Sequence, residues 1–183
     1  MKKALIHIDY TNDFVALDGK LTCGEPGIRL EGTILELTKE FTNDSESIVV
    51  YAIDLHKEMD PYHPETKLFP PHNLEGTKGR QLFGKIEDFY QQTKNQENVF
   101  YLDKTRYSAF QGTNLENILR ERNINEVHLI GVCTDICVLH TAVDAYNKGF
   151  DIVVHEGAVA SFNQQGHEWA LNHFKNTLGA KVI

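Results

Sequence analysis

Six short, apolar, partly β-branched runs, most of them separated by longer helix-like runs, constrain this chain more than any other feature. The strand-like runs fall at 3–9, 47–53, 98–103, 126–132, 151–155 and 180–183. Helix-like runs lie between most of them, at 27–41, 115–122, 137–148 and 164–177. Period-2 or continuous apolar runs of this length read as strands, and 3.6-residue periodicity reads as helix. Their alternation predicts an α/β fold: a three-layer α/β/α sandwich around a central, mainly parallel six-stranded sheet, Rossmann-like in arrangement. In such a fold ligands bind beyond the carboxyl ends of the strands.

A length of 183 residues suits a single domain spanning 1–183. The one long irregular stretch, 54–84, holds Pro61, Pro64, Pro70 and Pro71; an ordered loop of that length in a compact domain is usually functional. The formal net charge of −8 argues against nucleic acid or an anionic membrane as a main partner. Three cysteines do not make a disulfide scaffold. Lys2 and Lys3 precede an apolar run that His7 and Asp9 cut short, so no secretion signal is expected. No stretch is long enough to span a bilayer. The expectation is a cytoplasmic protein acting on a small molecule.

Chemistry concentrates at the strand ends. The first strand-like run ends in Asp9, the second leads into Asp54 and His56, and the third leads into Lys104. The fourth leads into Gly131-Val132-Cys133-Thr134-Asp135-Ile136-Cys137, which opens the helix-like run 137–148. In a parallel sheet all four arrive at one edge. A thiol at a helix N-terminus meets unpaired N–H groups and the positive end of the dipole, which favour thiolate and can hold an oxyanion. Asp9, Lys104 and Cys137 therefore form a workable acyl-transfer set. Asp9 takes the thiol proton and returns it to the leaving amine, and Lys104 stabilises the thiolate and is expected to lower its pKa.

Asp54-Leu55-His56 places a carboxylate and an imidazole on one side of an extended segment. Glu65 and His72 return from the proline-rich loop to complete a metal-ligating quartet, with His63 as a competing ligand. Two histidines and two carboxylates suit one divalent transition metal ion, zinc ahead of manganese or iron.

Taken together, these residues resemble the nicotinamidase/pyrazinamidase branch of the isochorismatase-like cysteine hydrolases. The resemblance is carried by Ile8-Asp9-Tyr10-Thr11-Asn12-Asp13-Phe14, by Asp54, His56, Glu65 and His72, by Asp103-Lys104 with Tyr107-Ser108-Ala109-Phe110, and by Gly131 to Val138. It implies hydrolysis of nicotinamide to nicotinate and ammonia in NAD salvage, with pyrazinamide as second substrate and the metal receiving the pyridine nitrogen. It also implies a cis peptide at Val132–Cys133, an oxyanion hole from the N–H groups of Cys133 and Cys137, and an aromatic clamp from Phe14, Phe69 and Tyr107. A homo-oligomer is implied as well.

Two other readings stand beside this one. The first is an amidohydrolase of another small amide or carbamoyl compound using the same thioester chemistry. The second is a thiol redox sensor that pairs Cys133 with Cys137 and keeps the metal as structure. Cys23 receives no role, and Arg106 and His140 are read as structural.

Overall fold

The computed structural model describes residues 2–183. Its centre is β1 (Lys3–Ile8), flanked by β2 (Ser47–Asp54) and β4 (Glu126–Val132). β3 (Val99–Lys104) lies outside β2, and β5 (Asp151–Ala160) followed by β6 (Lys181–Val182) lies outside β4. The order is β3-β2-β1-β4-β5-β6, and every pairing is parallel. Every residue of β2, and all of β1 beyond Lys3, is buried, as expected of strands covered on both faces.

Seven α-helices accompany the sheet among the described residues, besides other helical turns. α1 (Asn12–Val15) and α2 (Glu25–Ile28) are single turns; α3 (Glu31–Asn43), α4 (Lys85–Thr93), α5 (Leu115–Glu121), α6 (Leu139–Asn147) and α7 (Gln164–Asn176) cover the sheet. Ile34 and Phe41 of α3 and Ile86 of α4 pack on one face with Leu5, Val49 and Ile130. Leu115 and Ile118 of α5, Ala142 and Ala145 of α6 and Phe174 of α7 pack on the other with Ile6, Val50 and Leu129. α6 stops as the sequence predicts. Gly149 takes φ +74, its N–H bonds to the Tyr146 carbonyl, and the Phe150 N–H bonds to that of Ala145, the paired arrangement that closes many helices. No helix among the described residues is long and apolar enough to cross a membrane.

Four details differ from the sequence reading. The expected helix 27–41 is split into α2 and α3 around Arg29 and Leu30. α4 was not expected, because its sequence KIEDFYQQT buries only Ile86 and Thr93 and so carries a weak apolar signal. β5 continues past His155 to Ala160, a register shift between Leu129 and Gly131 absorbing its extra residues. The turn that carries Cys137 begins at Thr134, ahead of that cysteine. Thr134–Val138 form one wide turn, closed by the Val138 N–H on the Cys133 carbonyl at 3.2 Å, that runs into α6.

The register sets the site. Asp54 and Lys104 are direct partners at the ends of β2 and β3, while Ile8 pairs with Ala52 on one side and Gly131 on the other. Gly131 is required there: at φ +110 a Cβ would fall 2.0 Å from the Ile8 carbonyl oxygen. β1 has its sequence neighbour β2 on one side and β4 on the other, so the strand order reverses direction at β1 and β4. That is where doubly wound sheets open a crevice.

Candidate active site and metal centre

Asp9, Lys104 and Cys137 meet at this crevice. Asp9 takes φ +54, a left-handed conformation that aspartate tolerates better than most residues. It is fully buried, as is its partner Lys104, whose Nζ lies 2.8 Å from Asp9 Oδ2. The same ammonium donates to Cys137 Sγ at 3.8 Å, to Asp54 Oδ1 at 3.5 Å and to the Arg106 carbonyl at 3.1 Å. Burial raises the Asp9 pKa, Lys104 opposes and Asp54 reinforces, leaving it pushed up to about 6. Burial disfavours the Lys104 cation, but Asp9, Cys137 and Asp54 outweigh it and hold that pKa well above the usual lysine range.

The Cys137 thiol behaves differently from expectation. Burial pushes it well up; Lys104 pulls it down, and Asp9 and Asp54 push it up again. Two carboxylates and a dry environment outweigh the one cation, which shifts the balance toward the neutral thiol. The Val132–Cys133 peptide is cis, as the resemblance implied.

Asp54, His56, Glu65 and His72 converge beside this cluster, all buried, with their donor atoms within 4.8 Å of one another. His72 Nδ1–H donates to the Pro70 carbonyl at 2.8 Å, which turns Nε2 inward. That Nε2 is buried without a hydrogen bond, 3.6 Å from Asp54 Oδ2 and 3.5 Å from Glu65 Oε2. Donors bonded at zinc–ligand lengths around one tetrahedral ion lie about 3.4 Å apart, so these two separations suit a shared ion. The His56 Nε2–Asp54 Oδ2 contact of 2.5 Å must widen to admit one. Burial disfavours a charged His72, yet Asp54 and Glu65 outweigh it and push its pKa up to about 10. The group demands a cation, and the residues fit a divalent metal ion.

His63 is not part of that donor set. Its Nε2–H donates to the Thr105 carbonyl at 2.9 Å, and its Nδ1 accepts the Glu65 N–H at 3.3 Å. With both nitrogens engaged, it instead packs its ring 4.1 Å from that of His56.

A cleft of about 330 Å³, its open mouth included, lies over the thiol. Phe14, Phe69 and Tyr107 line it as expected, with Cys133, Cys137 and Glu65, and it also takes in Leu21, Ile136 and Phe162. Its lining is largely apolar and aromatic with a few polar groups, the character of a small-molecule site.

The family model described as "Isochorismatase domain" matches residues 3–183. The chain belongs to the isochorismatase family. Among solved structures of similar proteins, the nicotinamidase/pyrazinamidase PncA from Bacillus subtilis is 62% identical, with a TM-score of 0.98 over 100% of this chain and 99% of that one. A pyrazinamidase/nicotinamidase from Streptococcus mutans is 54% identical, with a TM-score of 0.96 over the whole of both chains. The pyrazinamidase of Pyrococcus horikoshii, solved in complex with zinc, is 27% identical, with a TM-score of 0.85 over 100% of this chain and 99% of that one.

Within this isochorismatase-family site, several contributors left no mark in the sequence. Arg80 donates Nε–H to the Asp54 carbonyl at 2.8 Å, bonds the Ile53 carbonyl and pairs with Asp103, tying the end of β2 to that of β3. An arginine in a loop gives no local signal for that role. Cys23 Sγ lies 3.3 Å from Cys133 Sγ, the one sulfur–sulfur contact among the described residues, and all three cysteines are free. The redox reading needed Cys133 against Cys137, and the structure instead sets Cys133 against Cys23. Arg106 is exposed and lends only its carbonyl to Lys104, and His140 donates from Nδ1 to the Ile136 carbonyl at 2.7 Å.

Proposed function

We propose that this chain is an amidohydrolase that converts nicotinamide to nicotinate and ammonia, accepts pyrazinamide, and serves NAD salvage. The observation that carries the reading is the cleft itself: aromatic side chains line it together with Cys137 and with Glu65 of the metal-ligating quartet. A pyridine amide spans such a cleft, with its carboxamide at the thiol and its ring nitrogen toward the quartet. The relatives named as nicotinamidases and pyrazinamidases support the same substrate.

Asp9, poised near pKa 6, accepts the Cys137 proton as sulfur attacks the amide carbon. Lys104 compensates the charge on sulfur and on Asp9. The N–H groups of Cys133 and Cys137 hold the oxyanion. Asp9 returns the proton to the amine, ammonia leaves, and a thioester on Cys137 remains. Asp9 then draws a proton from water as that water attacks the thioester, releasing nicotinate and restoring the thiol. Phe14, Phe69 and Tyr107 hold the ring. Asp54, His56, Glu65 and His72 would hold the metal, zinc before manganese or iron. When bound, the ion supplies a Lewis-acid contact that orients the ring nitrogen.

The test compares zinc-loaded protein on nicotinamide, benzamide and a carbamoyl compound. The proposal expects kcat/KM for nicotinamide to exceed that for benzamide, which lacks the ring nitrogen, by at least about 10²-fold, because a site built to pair a polar atom rejects the analogue lacking it, by about 10⁴–10⁵ in the strongest cases. Equal rates on both amides would remove the metal–nitrogen contact, and faster turnover of the carbamoyl compound would replace the substrate.

A further inference from the structure

We propose that Asp13 and Asn73 form a positioning node that holds both histidines of the quartet and sets its affinity for metal. The proposal rests on the reading of the quartet as a metal site. Asn73 is fully buried, takes φ +43 and directly follows His72. Its carbonyl accepts the His56 N–H at 3.1 Å. One residue is thus covalently joined to one histidine and hydrogen-bonded to the backbone of the other.

Asp13 fixes that residue. Its Oδ2 accepts the Asn73 N–H at 2.8 Å, and its Oδ1 the Lys20 N–H at 3.4 Å. The Thr11 hydroxyl adds a 2.9 Å bond to Asn73 Oδ1. The carboxylate fills a space the loop leaves for it, since a Cβ on Gly79 would fall 2.2 Å from Asp13 Oδ2. Phe14, next in sequence, sets its ring edge-on to His72 at 5.3 Å. The segment that follows the base Asp9 therefore grips the loop that carries the metal ligands. Removing the Asp13 acceptor leaves a buried N–H without a partner, and the neighbouring histidines shift as the loop relaxes. Groups that orient metal ligands in this way typically change metal affinity about 10- to 100-fold when removed.

The test is the dissociation constant for Zn²⁺, measured by competition with a chromophoric chelator, together with the thermal midpoint of the metal-free protein. Asp13→Ala is expected to weaken zinc binding about 10- to 100-fold. Asp13→Asn, which keeps an acceptor for the Asn73 N–H, restores most of the affinity, and Thr11→Val gives a smaller loss. A merely structural role would lower the metal-free midpoint and leave the zinc affinity of the folded protein unchanged, and that result for Asp13→Ala overturns the node. Should Asp13→Ala not fold, wild-type zinc affinity in Thr11→Val overturns it equally. A wild-type protein that binds no zinc would overturn the metal reading itself, a result distinct from a wild type that binds zinc and variants that match it.

Discussion

The backbone N–H of Asp54 donates to Asp9 Oδ1 at 2.8 Å, so the residue that opens the metal quartet also orients the proposed base. Its side chain divides between the same two tasks, with Oδ1 3.5 Å from Lys104 Nζ and Oδ2 against His56 and His72. On the proposed mechanism, metal binding and acid–base chemistry share a residue, and variants should reveal the sharing.

Asp54→Asn is expected to weaken zinc binding and also to lower kcat after zinc saturation, because it withdraws a carboxylate from Lys104. Glu65→Gln should weaken zinc binding comparably while leaving the zinc-saturated kcat closer to wild type. Zinc affinity and saturated kcat, measured for both variants, check this. Equal kcat in the two would separate Asp54 from the catalytic cluster.

Lys104 carries the charge balance of the buried site. Lys104→Met leaves Asp9 and Asp54 facing each other without a cation, and breaking a buried pair from one side costs about 3–5 kcal/mol. Urea unfolding should show a loss of that order, smaller when Asp9→Asn is present as well. A loss unaffected by Asp9→Asn would mean that repacking around the lysine stem, rather than unpaired charge, sets the cost.

The cysteines should separate cleanly. Cys137→Ala is expected to lower kcat by at least about 10³-fold, as removal of a nucleophile does. Cys133→Ala keeps the backbone N–H proposed for the oxyanion hole and should stay within about tenfold of wild type. Similar losses in both would favour a thiol pair over a single nucleophile.

Acid should destabilise the fold through two histidines that take no part in the proposed chemistry. His7 is fully buried, and burial alone lowers its pKa to about 3; Nε2–H donates to Thr38 Oγ1 at 2.9 Å while Nδ1 has no partner. Burial first, then His128 and Lys3, lowers His155 to about 4. Both are depressed from 6.5, so the unfolded chain binds their protons first as pH falls. Their contribution is fully present above pH 6.5 and is lost progressively toward pH 3–4, by about 1.4 kcal/mol per pH unit for the buried His7 and by less for the partly exposed His155. Urea unfolding of His7→Asn between pH 4 and pH 6, both round values inside that window, should show a shallower slope by that amount. An unchanged slope would mean His7 is charged in the folded protein.

The sheet was legible because parallel strands buried on both faces must be continuous apolar runs, and 3–8 or 126–132 can be little else. The polar residues at their ends, Asp9, Asp54 and Lys104, stood out against those runs, and donor chemistry picked out Glu65 and His72, which the loop brings beside Asp54 and His56. α4 was hidden because a helix covering a sheet edge needs few apolar residues. The thiol's raised pKa was hidden too, since a helix terminus is visible in sequence and the burial and two carboxylates that overrule it are not. Asn73 and Arg80 act through backbone groups of distant residues, a role that no residue type or spacing announces.

The most direct test follows zinc-loaded wild type and Cys137→Ala with nicotinamide, measuring ammonia and nicotinate together. The account predicts equal molar release of both by wild type and neither above background by Cys137→Ala. Wild-type protein with metal bound that releases no ammonia, or a Cys137→Ala variant that still turns over, would contradict it.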